Sequence, residues 1–134
     1  MTSRILFRAG AAALALSANI VGFTAISANS SGATEQTNAY GITESVIAEG
    51  KALYLKNCKL CHGSKGTSGK RLSKNKKVAD AEYVARTIIT GPGYMTEFGP
   101  HLSDEEIALI VTYVRNEMGN SYGPMNATEV KQLR

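Results

Sequence analysis

The chain has 134 residues, with 15 Lys plus Arg against 11 Asp plus Glu, a formal net charge of +4, two Cys, two His and no Trp. That length fits one domain and excludes a large multidomain enzyme, while 43% hydrophobic and 19% charged residues exclude a disordered tail or a coiled coil. Two cysteines allow at most one internal disulfide, which excludes a disulfide-stapled miniprotein.

At the start of the chain, Arg4 and Arg8 precede an uncharged run from Ala9 to Phe23, mostly Ala, Leu, Ile and Val. This is the pattern of a secretory signal peptide over residues 1–28, with small residues for cleavage between 27 and 33. An uncleaved anchor is the alternative, but Ala9 to Ile26 gives only 18 residues and is interrupted by Ser17, Asn19 and Gly22. The reading places the mature protein in a bacterial periplasm, with no stable membrane insertion after cleavage. Residues 29–41, rich in Ser, Thr, Asn and Gly, read as a flexible linker. The folded domain is expected over 42–134, its C-terminal tail being 120–134.

From Glu44, the positions Val46, Ile47, Gly50, Leu53 and Tyr54 paint one stripe of a first helix. It runs into Asn57-Cys58-Lys59-Leu60-Cys61-His62-Gly63, where both cysteines and one of the two histidines fall within five positions. Three chemistries use such a cluster. A redox dithiol calls for a thioredoxin-like strand and helix, and no strand pattern is present. A structural zinc site needs four N or S ligands, and His101 is the only further candidate, leaving zinc one ligand short. Covalent haem accounts for all three residues: Cys58 and Cys61 add to the two vinyl groups, and His62 becomes an axial iron ligand.

Beyond a basic stretch, Tyr83, Val84, Thr87 and Ile88 repeat at helical spacing, with Asp80 as N-cap and Gly91 as stop, so a short middle helix is expected. The loop from Gly91 to Pro100 follows, broken by Gly and Pro and able to pass close to a flat cofactor. It carries Met95, the favoured second axial ligand, with Tyr94 and Phe98 placed to pack on the porphyrin. Met118 and Met125 read as packing residues, and a pair of His62 with His101 is the rival ligand set, one that would lower the reduction potential. Ser103 and Glu106 form a capping box, and Ile107, Ile110, Val111, Val114 and Met118 make the buried face of a closing helix ending at Gly119. In the tail, Asn126 and Glu129 suggest one further capped turn. The class is all-α, and a buried haem would supplement a core that is thin at this size.

These residues together resemble the small class I c-type cytochromes of bacteria that serve periplasmic dehydrogenases and oxidases. The match runs from about Ile42 to Arg134: Gly50, Leu53 and Tyr54 before the Cys58–Gly63 motif, Met95 with Phe98, then Leu102 to Ile107 and Tyr113-Val114-Arg115. The resemblance implies a small helical domain around one covalently attached haem, with His62 and Met95 on its iron. Three departures stand out. Thr96 follows Met95 where the family often has Pro. Thr67 to Leu72 lacks the Gly-Pro whose carbonyl usually receives the axial imidazole, and His62 to Met95 is 33 residues, which is short and implies trimmed loops.

Charge is unevenly divided. Lys51 to Lys77 holds nine basic residues and no acid, whereas Val78 to Arg134 holds eight acids and four bases. In the family the thioether edge of the haem is the exposed one, so lysines near the motif would steer an acidic partner. Nucleic acid is set aside, because no aromatic residue interleaves the lysines from Lys56 to Lys77 and the leader reads as an export signal. The expected function is a one-electron carrier, not itself an enzyme, between a periplasmic dehydrogenase and a downstream cytochrome or terminal oxidase, docking through Lys51 to Lys77. The alternatives are a fixed subunit of a multi-protein dehydrogenase, or an open-site haem peroxidase or sensor if Met95 is not a ligand.

Overall fold

A computed structural model describes residues 35–134. The expected signal peptide and the first part of the linker lie outside the described residues; residues 35–41 are exposed, with a turn at Asn38 and a single bridge between Thr37 and Thr43. The regular elements that follow among the described residues are helical: α1 (Glu44–Asn57), α2 (Lys59–His62), a 3-10 turn (Lys76–Ala79), α3 (Ala81–Thr90), α4 (Asp104–Asn116) and α5 (Ala127–Lys131). None is long and apolar enough to cross a membrane.

Each helix starts where a short polar side chain takes an otherwise unpaired backbone N–H. Thr43 caps α1, Asp80 caps α3 through Tyr83 N at 2.9 Å, and Ser103 with Glu106 closes a complete capping box on α4. Asn126 and Glu129 repeat the box on α5. α3 ends on Gly91 in the left-handed conformation at φ 55°; a Cβ there would also strike the backbone of Thr96 and Glu97.

The most extensive contact between elements is α1 against α4. Gly50 makes it possible, since a Cβ at this position would run into the carbonyl oxygen of Leu109 and sit 2.8 Å from Tyr113 Cβ. One turn on, Tyr54 and Tyr113 meet with ring centroids 5.4 Å apart, tilted by 48°. Ile107, Ile110, Val111 and Val114 are buried as the helical spacing predicts, and Val130 of α5 joins the same core.

One expectation is corrected. α4 stops at Asn116 rather than continuing to Gly119, because the Asn116 side chain bonds Thr112 O, Gly123 O and Gly123 N and turns the chain back. Met118 therefore lies beyond the helix at φ 60°; it still packs against the core, and its sulfur lies beside Gly66. On α3, Tyr83 is 47% exposed, while Ala85 and Ile89 face the core. The stripe Tyr83, Val84, Thr87 and Ile88 lines a cavity, Val84 and Ile88 being buried in the core as well.

The central buried polar group is Arg115, 6% exposed. Its guanidinium donates to the carbonyls of Val78, Ala79, Tyr122, Gly123 and Pro124, and so joins the 3-10 turn, α4 and the tail. Burial lowers its pKa, with opposing help from Asp80 and Glu129. Asn120 plays a similar part, donating to Leu72 O and Val114 O while accepting from Asn75 N.

Candidate functional site

Around one cavity of about 650 Å³ the fold gathers Cys58, Cys61, His62, Met95 and Phe98. That size is within the range of small-molecule and cofactor sites. Its wall is mainly apolar, with Val78, Val84, Ile88, Ile110 and Val114 at the back, and includes no Asp or Glu. The wall thus suits a large apolar ligand that carries negative rather than positive charge.

The motif is presented by the junction of α1 and α2. α1 ends at Asn57, Cys58 is the hinge residue, and α2 is one turn holding Lys59 to His62. Tyr54, fully buried, donates its hydroxyl to Gly63 O at 2.6 Å and fixes the exit from that turn. The same burial pushes the Tyr54 phenol up to about 12. Cys58 is half-buried and Cys61 exposed. Burial, reinforced by the neighbouring Cys61, pushes the Cys58 thiol up to about 11, the opposite of the lowered value of a redox-active dithiol.

His62 settles a question raised by its unusual following loop. Its Nδ1 is 2.9 Å from the carbonyl oxygen of Lys70. A carbonyl only accepts, so Nδ1 carries the proton and Nε2 keeps a free lone pair, the tautomer a metal-binding histidine requires. The loop that supplies this carbonyl is held close by Ser68 N donating to His62 O and by Gly69 lying against Cys61 O. Lys70 thus takes the place of the proline-linked carbonyl expected by resemblance.

Met95 is half-buried on the facing loop. Its N–H closes a turn onto Pro92 O, and the loop returns to α3 with Phe98 N and Gly99 N bonded to Ile88 O and Ile89 O. Those carbonyls would otherwise be left over at the helix end. Arg134, a residue that sequence reasoning missed, donates to Gly99 O at 2.6 Å and Leu102 O at 2.7 Å and pairs with Asp104, so the tail ties down the Met95 loop. Phe98 is half-buried against the core, whereas Tyr94 is exposed on the cavity wall.

The other ligand candidates are elsewhere. His101 is exposed and does not line the cavity; Met118 and Met125 pack against the core. Among the described residues no group of three or more His, Cys, Asp or Glu side chains could hold a metal ion, so a zinc-type site is not formed. Two thiols, one imidazole with a free Nε2 and one thioether on an apolar cavity fit covalent haem.

Comparison with known proteins agrees. Residues 45–114 match the family model described as cytochrome C oxidase, cbb3-type, subunit III. The fructose dehydrogenase cytochrome subunit of Gluconobacter japonicus is 34% identical, over 64% of this chain. The chain spans 22% of the length of that relative.

Proposed function

The chain is a c-type cytochrome, a member of the family that the cbb3-type subunit III model describes and a carrier of covalently bound haem c, and from that premise we propose that it is a periplasmic one-electron carrier. The observation that carries this reading is the convergence of Cys58, Cys61, His62 and Met95 on one apolar cavity. Haem c supplies reversible one-electron exchange at its iron.

The protein's own groups then have distinct tasks. Cys58 and Cys61 would hold the porphyrin through thioether bonds. His62, oriented by the Lys70 carbonyl, and Met95, held by the α3 and Arg134 contacts of its loop, would hold the iron. With both ligands supplied by protein, the site would favour electron transfer over chemistry on O2 or peroxide. Phe98 within the cavity and Tyr94 at its exposed margin would pack against the porphyrin.

The relative is the cytochrome subunit of a fructose dehydrogenase, which supports a dehydrogenase as electron donor. A downstream cytochrome or terminal oxidase would receive the electron. The basic residues from Lys51 to Lys77 form the docking face: all nine are exposed, and the ion pairs among the described residues, Arg86 with Glu82 and Arg134 with Asp104, involve none of them. They remain available to an acidic partner.

A redox titration of the haem-loaded protein, paired with a peroxide assay, tests the proposal. A single reversible one-electron wave with no catalytic peroxide consumption is expected. Sustained peroxide turnover would replace the carrier with an open-site enzyme.

A further inference from the structure

A second groove, sharing no residue with the cavity of the cysteines, lies between the segment before α1, α4 and the returning tail. Its volume is about 440 Å³. Val46, Ala108, Leu109, Pro124 and Met125 give it an apolar wall, and Glu105 is the only charged residue on it. Tyr40 forms one edge: it is 48% exposed, its hydroxyl donates to Ser121 O at 3.0 Å, and its ring lies against Gly123. Glu105 is exposed and takes part in no ion pair among the described residues.

The same chain carries a complementary surface. On α1, Ala48, Ala52 and Leu55 recur at helical spacing yet face outward, Leu55 being 37% exposed and none of the three lining the groove or the cavity. Lys51 and Lys56 border this apolar strip, exposed and likewise outside the ion pairs. The strip cannot fill the groove of its own molecule. Val46, which lines the groove, and Leu55 fall on opposite sides of the helix at about 100° per residue.

A partner acidic enough to meet the lysines would be repelled by Glu105, whereas a cationic, apolar helix face suits the groove on both counts. We propose that the groove takes the outer face of α1 from a second copy of this chain, Leu55 entering the groove while Lys51 and Lys56 meet Glu105. One groove and one helix face make a small contact, so the association is weak and reversible. It also covers Lys51 and Lys56. Under the docking reading above, an associated copy is therefore a poorer electron acceptor; the association itself does not depend on that reading.

The test is sedimentation of the haem-loaded protein from micromolar to millimolar concentration, at low and high salt. The wild type is expected to form larger species as concentration rises and to lose them as salt screens the contact. Glu105→Lys, and separately the pair Lys51→Glu with Lys56→Glu, should each weaken association about tenfold or more, because each sets like charges face to face. Leu55→Ser should weaken it with the salt dependence retained. Mixing the two charge-reversed proteins puts opposite signs across the contact again and should bring the larger species back, a recovery that damage to either fold would not give. A wild type that stays monomeric throughout, association that the reversals leave unchanged, or a mixture that fails to recover it would each overturn the proposal. Failure of the docking reading is distinguishable, because sedimentation involves no electron donor.

Discussion

The pairing of His62 Nδ1 with Lys70 O shows what single residues in this protein do and how far sequence discloses it. Cys58, Cys61 and His62 were legible because their chemistry dictates their spacing. The Lys70 carbonyl was not, because any residue supplies one and only the fold decides which is in reach. Arg115 was hidden for the same reason: its five acceptors are all backbone carbonyls, drawn from two distant segments. Arg115→Leu should lower stability on the order of 3 kcal/mol or more, since it strands buried carbonyls, and a denaturant titration of the haem-loaded protein would measure this. Tyr54 yields a pH-dependent expectation. Its folded-state pKa, about 12, is above the ordinary value of 10.0, so the unfolded chain ionises first. The stabilising contribution is full below about 10 and is lost as pH rises towards 12. Tyr54→Phe should cost about 1 kcal/mol at neutral pH through the lost bond to Gly63 O, and should flatten the alkaline loss of stability.

Among the elements, the polar caps and the apolar spacing of α1, α3 and α4 were readable in advance, because both are local. The tertiary detail was less so. Tyr83, Val84, Thr87 and Ile88 were readable as one stripe of a helix but not as the wall of a cavity, because helical period does not tell a core from a cavity. The end of α4 was misplaced because Asn116 bonds to Gly123, a partner supplied by the returning tail. Gly50 makes the crossing of α1 and α4, and Gly50→Ala should cost about 1–3 kcal/mol by overpacking, read as a lower melting temperature of the haem-loaded protein. The C-terminal tail is folded onto α4, with Val130 fully buried. Through Arg134 it braces the Met95 loop. Arg134→Ala should therefore make the sulfur-to-iron absorption band bleach at a lower temperature, ahead of any loss of helix signal by circular dichroism. Simultaneous loss of the two would mean that the bracing is global rather than directed at the loop.

For the whole molecule, a net charge of +4 conceals a division between a basic stretch carrying the haem motif and an acidic remainder. Such a division matters for encounter more than for folding, because exposed charges contribute little to stability but act over a Debye length of about 8–10 Å at ordinary salt. Reduction by the proposed dehydrogenase donor should accordingly slow steeply as salt is added; a flat response would remove Lys51 to Lys77 from the account of docking. The central claim is that Met95 closes the iron's second axial position. The absorption spectrum of the oxidised, haem-loaded protein, with and without Met95→Ala, tests it most directly. The wild type should show the weak long-wavelength sulfur-to-iron band, the variant should lose it, and the reduced wild type should not bind carbon monoxide. Absence of the band from the wild type, or ready carbon monoxide binding, would contradict the account and leave an open haem site instead of a carrier.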